Sequence, residues 1–234
     1  MSKTRFHRLC VIGLIGLLLL SLAGPFLAIG DSFAVFRPHM LLTLAGLLVL
    51  PNTIRGRWLW LVAVILILGF HLRHGFSYPR YIDSSFKIYQ KNLFFRIKDV
   101  GPIATDIRSI EGLDFVTLQE ITDSKRGLMA VLKKDFPHQH ICPFASIGGT
   151  AVLSRWPIKY GSRKCFDRGG MTAIQVDTAH GPPIWVISAH LNWPFPHSQR
   201  DQVNRLLPEL RQLDGPVIIG GDFNMVPWLS LIHI

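Results

Sequence analysis

Negative charge is scarce where this sequence is most apolar. Between Met1 and Arg80 a single acidic residue, Asp31, stands against eight lysines and arginines. Most of the formal net charge of +10 therefore flanks hydrophobic runs, where it acts as a topology signal. Residues 81–234 carry only +3, too little to argue for a nucleic-acid-binding module from charge. Cysteine is also sparse, at three, and repeats, low-complexity tracts and metal-finger spacings are missing. Cys10 lies inside the first apolar run, leaving Cys142 and Cys165 as the one pair in the remaining chain. Both fall in neighbouring strand candidates, and an exported domain would meet an oxidising compartment, so this pair is expected to be able to form a disulfide.

Apolar residues, at 49% with a mean hydropathy of +0.30, are too abundant for one ordinary soluble domain of 234 residues. Leu9 to Ile29 is a nearly unbroken apolar run preceded by Lys3, Arg5 and Arg8, long enough to cross a bilayer. His39 to Leu50 and Trp58 to Phe70 follow, separated by Pro51-Asn52 and Arg55-Gly56-Arg57. Residues 1–80 thus read as a membrane anchor of about three helices with the N-terminus inside and the remainder outside. Two alternatives stand beside this: a signal peptide, and one span followed by a buried helical hairpin.

From Phe86 the pattern changes. Phe86 to Phe95 alternates as a strand, Ile103 to Ile110 reads as a short helix, and Asp114 to Gln119 as a compact strand ending at Glu120. Ser124 to Phe136 reads as a helix with a basic face. Strands are expected around Ile141 and over Thr150–Ser154, Ile158–Cys165, Met171–Asp177 and Ile184–His190. A helix opens at Ser198, with Pro208 expected to kink or split it, and Pro216 to Phe223 forms a last buried strand. Strands in series with helices between them indicate an α/β sandwich of stacked sheets.

Four strand ends carry residues able to do chemistry. Asp222 and Asn224 lie two apart and can orient a water and a charged oxygen, although both types also favour turns. Glu120 is a solvated strand end or a ligand for a hard metal. Asn92 interrupts an apolar strand and needs a partner, and His190 closes "IWVISAH". Each taken alone is at least as well explained by structure as by function.

Their order is more informative. "KN", "LQE", "GGTAVLSRWPI", "HLNWPFP" and "GGDFN" follow one another as the landmarks of the endonuclease/exonuclease/phosphatase superfamily do, and residues 85–228 resemble it, most closely its bacterial membrane-anchored branch. The resemblance implies a four-layer α/β sandwich and Mg²⁺-dependent phosphoester hydrolysis, with Mn²⁺ as an alternative ion. It implies that Glu120 ligates the metal with Asn92 beside it positioning metal or phosphate, that His190 contacts the scissile phosphate, that Asp222 orients or activates the attacking water, and that Asn224 stabilises charge on phosphorus. Ser154-Arg155 is structural in this pattern. Trp193, Phe195 and Trp228 either rim the site or pack in the core. The implied partners are a phosphoester (nucleic acid, lipid headgroup or small molecule) and a lipid bilayer, with no protein partner. The implied location is a bacterial plasma membrane with the globular domain outside. A different class of function, a non-catalytic membrane protein using the sandwich for binding, stands as the alternative.

The family pattern closes on an Asp-His pair that does not follow Asn224 here, since His233 is too near and lacks a preceding Asp. The domain is therefore read as a partial one over 81–228, and the chain as an inactive fragment. Leu229–Ile234 departs from the pattern and matches one reading frame of a transposon-end adapter, so it reads as a non-native tail.

Overall fold

The computed structural model describes residues 2–50, 54–75, 86–143, 147–166, 170–179 and 181–228, without the side chains of 74 and 75. The tail at 229–234 and the turn at Pro51-Asn52 lie outside the described residues. The chain forms two compact units, one of Met1–Arg80, Trp193–Arg200 and Met225–Ile234, the other of Tyr81–Asn192 and Asp201–Asn224.

The first unit holds α1 (Lys3–Leu22), α2 (Ala28–Ala34), α3 (Arg37–Val49) and α4 (Arg57–Gly75). Ser2 caps α1 by accepting a hydrogen bond from the Arg5 amide. The apolar run expected to continue to Ile29 stops as a helix at Leu22, because Pro25 disfavours helical backbone at the residue before it. Val11, Leu41, Leu44, Leu48 and Val64 form a small core among α1, α3 and α4. Among the described residues α1 is long and apolar enough to cross a membrane. The pair α2 and α3 reaches that length and apolarity only together, with a bend of 62° between them. Signal sequences and buried core helices meet the same length and apolarity, but most of α1 is exposed.

The second unit is an α/β sandwich. One sheet contains β1 (Ile88–Asn92), β2 (Phe115–Ile121), β3 (His138–Cys142) and β4 (Gly149–Ser154), in the order β1-β2-β4-β3. The other contains β5 (Lys164–Phe166), β6 (Met171–Val176), β7 (Ile184–His190) and β8 (Val217–Asp222), in that order. Within each sheet one pair is parallel, β1 with β2 and β7 with β8, and the other pairs are antiparallel. Alternation along β2 sends Val116 and Leu118 outward onto α5 (Gly101–Ser109) and α6 (Arg126–Val131), where Ile103, Ile107 and Leu128 are buried. Phe115 points the other way and packs between the sheets with Val152, Ile174, Val176 and Val186. The Asp214 carbonyl, just past α7 (Gln199–Leu210), accepts from the Trp185 indole on the second sheet. The layers are therefore helices, sheet, sheet and helix, the sandwich that the strand pattern suggested.

Several local expectations change. The segment Ser124–Phe136 is not one helix but a single 3-10 turn, Asp123–Lys125, followed by the short α6, and its Lys125 is buried rather than part of a solvated basic face. Of Ile158–Cys165 only Ile158 bridges to Val176 before the chain turns at Gly161, leaving β5 at three residues. Pro208 does not split α7, because it lies in the last turn and removes at most one backbone bond. Cys142 and Cys165 are disulfide-bonded, with Cα atoms 5.6 Å apart. The bond ties the edge strand of one sheet, β3, to the edge strand of the other, β5. At the opposite margin β8 is also an edge strand, and Val217 and Ile219 of this apolar segment are exposed.

Candidate active site

The polar residues singled out from the sequence gather at the carboxyl ends of the two parallel pairs. Asn92 ends β1, Glu120 is next to last on β2, and His190 and Asp222 end β7 and β8, paired in register. The Asn92 side chain joins the sheets. Its Nδ2 donates to Glu120 Oε1 at 2.9 Å and to Asp222 Oδ2 at 2.8 Å. His190, buried beside them, brings Nε2 to 3.9 Å from Glu120 Oε1, while its Nδ1 is buried without a hydrogen-bond partner among the described residues. Asn224 donates its amide N–H to Asp222 Oδ1 at 3.0 Å, and its carboxamide donates to the Leu191 carbonyl at 2.7 Å.

The backbone around Glu120 is arranged to present its carboxylate. The pairing of β2 with β4 slips between Leu118 and Ile121, and Glu120 takes up the extra length with φ of 58°. A bulky residue in this left-handed region is uncommon and persists only where its surroundings hold it. Two features do so. Gly148 approaches so closely that a Cβ there would lie 2.6 Å from the Glu120 carbonyl carbon. The buried ammonium of Lys125 donates to the carbonyls of Leu93, Phe94 and Glu120, at 2.9, 2.6 and 3.2 Å. Burial pushes the Lys125 ammonium below its ordinary pKa, with the nearby Glu120 charge acting in the opposite direction. The Phe95 amide donates to Glu120 Oε2 at 2.5 Å, and the Phe94 amide donates to Asn92 Oδ1 at 2.8 Å. This last bond turns the Asn92 nitrogen toward the two carboxylates.

Beneath the site a polar chain crosses between the sheets. Gln90 donates to Gln119, Gln119 to Ser188, and Ser188 to the Leu118 carbonyl, at 2.8, 2.9 and 2.8 Å. Thr150 and Thr172 meet at 2.7 Å in the same inter-sheet layer. Gly220 is needed beside them, since a Cβ there would lie 2.5 Å from Thr117 Oγ1.

Sequence reasoning missed Lys125 and this polar chain. The available signal was "LQE" itself, whose glutamine faces inward when Leu118 faces out. Lys125 had none, because basic residues near a helix start ordinarily face solvent. Ser154 is structural, as its hydroxyl exchanges hydrogen bonds with the Trp156 backbone. The three aromatics expected to rim the site or pack in the core belong to segments of the first unit. There the Trp228 indole donates to the Ala34 carbonyl at 2.6 Å, and the Phe195 carbonyl accepts from Ser32.

The donor set fits a hard divalent cation. Two carboxylates on facing sheets share one amide group, both retain lone pairs, and oxygen ligands of this kind suit Mg²⁺ better than softer metals.

Residues 91–233 match the Endonuclease/Exonuclease/phosphatase family, and the chain belongs to it. Solved structures that match part of the chain include TDP2 from Caenorhabditis elegans, at 20% identity and a TM-score of 0.43 over 53% of this chain and 41% of that one. An endonuclease/exonuclease/phosphatase from Beutenbergia cavernae DSM 12333 has 21% identity and a TM-score of 0.45, over 58% of this chain and 47% of that one. ANGEL2, a 2',3'-cyclic phosphatase, has 22% identity and a TM-score of 0.45, over 54% and 43%. The chain thus spans about half the length of the solved structures it matches. No curated protein matches it.

Proposed function

We propose that this sandwich is the hydrolytic domain of a divalent-metal-dependent phosphoesterase anchored to a membrane by the N-terminal helices. The observation that carries the reading is the Asn92 amide bridging Glu120 and Asp222 across the two sheets. Two carboxylates held by one amide in this way leave oxygen lone pairs that a single hard cation can take up. Glu120 and Asp222 would hold Mg²⁺, which when bound polarises a phosphoryl oxygen. Asp222, at the rim, accepts a proton from a water placed in line with the leaving group. His190 donates a hydrogen bond to a non-bridging phosphate oxygen. Asn224, fixed in the left-handed region at φ of 47° by its bond to Asp222, adds a donor beside it. Lys125 and Gly148 keep the Glu120 carboxylate in position and do not touch the substrate.

The substrate class is a phosphoester. The location proposed for the anchor is a bacterial plasma membrane with the sandwich on the outer side, supported by the basic flank ahead of α1. Reporter fusions after Tyr81 that are active only in the cytoplasm would reverse that orientation. The activity test is hydrolysis of bis(p-nitrophenyl) phosphate by the 234-residue chain, and by the chain continued through whatever its gene encodes, with Mg²⁺ and with EDTA. Metal-dependent turnover lost in Glu120→Gln supports the reading. Metal binding without turnover in both proteins sinks it in favour of a binding module.

A further inference from the structure

The margin opposite the site carries a second group able to hold a metal. His140 and Cys142 lie two residues apart on β3 and so share a face, and Cys165 meets them from β5. His140 Nε2 is 3.5 Å from Cys142 Sγ and 3.6 Å from Cys165 Sγ. All three ligand atoms lie within 4.8 Å of one another. Cys142 is fully buried, whereas Cys165 is exposed. The strand order puts β3 and β5 on one side of the sandwich and the Asn92, Asp222 pair, on β1 and β8, on the other, so this group is separate from the candidate active site.

We propose that His140, Cys142 and Cys165 form a redox-gated site for a zinc-class ion. It is closed while the two cysteines are bonded and open when they are reduced. The three donors are of the type that binds such an ion and lie close enough to share one. In tetrahedral coordination, Zn–S bonds of about 2.3 Å and Zn–N bonds of about 2.0–2.1 Å set the nitrogen-to-sulfur edge at roughly 3.5–3.6 Å. Both His140-to-sulfur distances have that value in the bonded form, and on reduction the sulfurs must also part to an edge of about 3.8 Å while staying in reach of His140. One nitrogen and two thiolate sulfurs are the donors that zinc prefers over the oxygen-loving ions suited to Glu120 and Asp222. A fourth position is left for water. Exposed Cys165 is the sulfur that an incoming thiolate reaches first.

The chemistry balances with an external dithiol as reductant. The dithiol loses two electrons and closes to its own disulfide, the Cys142–Cys165 bond breaks, and two protons pass to the freed sulfurs. Binding of the ion then returns two protons to solvent as both thiols become thiolates. In the oxidised form the same residues join the two sheets covalently, and in the metal-bound form the ion takes over that link.

The test uses the full chain carrying Cys10→Ser, so that only the two relevant thiols remain. The protein is reduced, freed of reductant without air, and titrated with Co²⁺ and then Zn²⁺, beside an oxidised sample. One equivalent of Co²⁺ per reduced chain is expected, with a thiolate-to-cobalt charge-transfer band that Zn²⁺ abolishes. The oxidised sample should show no such band, which separates this site from any carboxylate site. His140→Ala retains both cysteines, and its folding is checked in the oxidised form by circular dichroism. Loss of a direct ligand should weaken binding at least about tenfold, since even indirect supporting groups change affinity by that much. The proposal is overturned by a reduced chain that shows no charge-transfer band, including one that unfolds and is not recovered by Zn²⁺. Undiminished affinity in His140→Ala overturns it equally.

Discussion

The layer between the two sheets has an apolar half and a polar half, and both are supplied by the same strands. Reading inward-facing positions toward the site, β1 runs Ile88, Gln90, Asn92 and β2 runs Phe115, Thr117, Gln119. In the same sense β7 runs Ile184, Val186, Ser188, His190, while β8 runs Ile218, Gly220, Asp222. The antiparallel strands obey the rule in reverse, with Val152 before Thr150 on β4 and Ile174 before Thr172 on β6. At one end the side chains pack as a hydrocarbon core, and at the other they form hydrogen bonds that cross from sheet to sheet. Burial is as deep in the polar half as in the apolar one, for Gln119, Ser188 and Thr172 are fully buried. What separates the halves is how buried groups are satisfied: by contact area in one, and in the other by paired donors and acceptors, apart from Thr117 Oγ1 and His190 Nδ1. The apolar half supplies stability, while the polar half positions the Glu120 and Asp222 carboxylates through Asn92.

Four experiments sharpen this contrast. The largest effect is expected at the end of the polar half. Asp222→Ala should lower phosphodiester hydrolysis by about 10²–10⁴-fold, the usual contribution of a positioned base. Circular dichroism should show its fold intact, because Asp222 is only partly buried. An unchanged rate would mean that the polar half is structural. In the apolar half, Phe115→Ala should cost about 3–5 kcal/mol in urea unfolding, the range for emptying a well-packed aromatic site. It should leave the rate of the remaining folded protein nearly unaltered. Between the halves, Gln119→Leu removes the acceptor of Gln90 and the donor to Ser188. Losing these two hydrogen bonds, at about 0.5–1.5 kcal/mol each, should cost about 1–3 kcal/mol, and metal affinity should fall with them. A neutral result would show that the chain of amides merely fills space.

The smallest effect lies outside the layer. Tyr89 donates to Asp106 at 2.6 Å, and burial first, then this bond, raises its pKa above the ordinary 10.0. The unfolded phenol ionises before the native one does, so the contribution is complete below pH 10.0 and is lost as the pH climbs toward the native value. Tyr89→Phe should cost about 0.5–1.5 kcal/mol at neutral pH. It should also flatten the alkaline limb of stability, measured by denaturant titration from pH 9 to 11. An alkaline limb as steep as the wild type's would assign that limb to other groups.

By itself the sequence determined the parts that depend on local pattern. Short apolar runs placed β4, β6 and β7 within a residue of their ends and β2 within two, because strands buried on both faces read as compact apolar segments. Polar residues closing apolar runs marked Asn92, Glu120, His190 and Asp222 as strand ends. The one pair of cysteines outside the first apolar run anticipated their bond. Only the tertiary structure decided what each of these residues faces. Nothing near Lys125 in the chain shows that its ammonium turns inward to three carbonyls, two of them about thirty residues away. The left-handed backbone of Glu120 is accommodated where Gly148, just ahead of β4, closes on it. His140 reads as an ordinary strand residue until β5 brings Cys165 to it. In each case the partner comes from across a sheet or between sheets, and such long-range encounters are settled by packing after the local pattern has been satisfied.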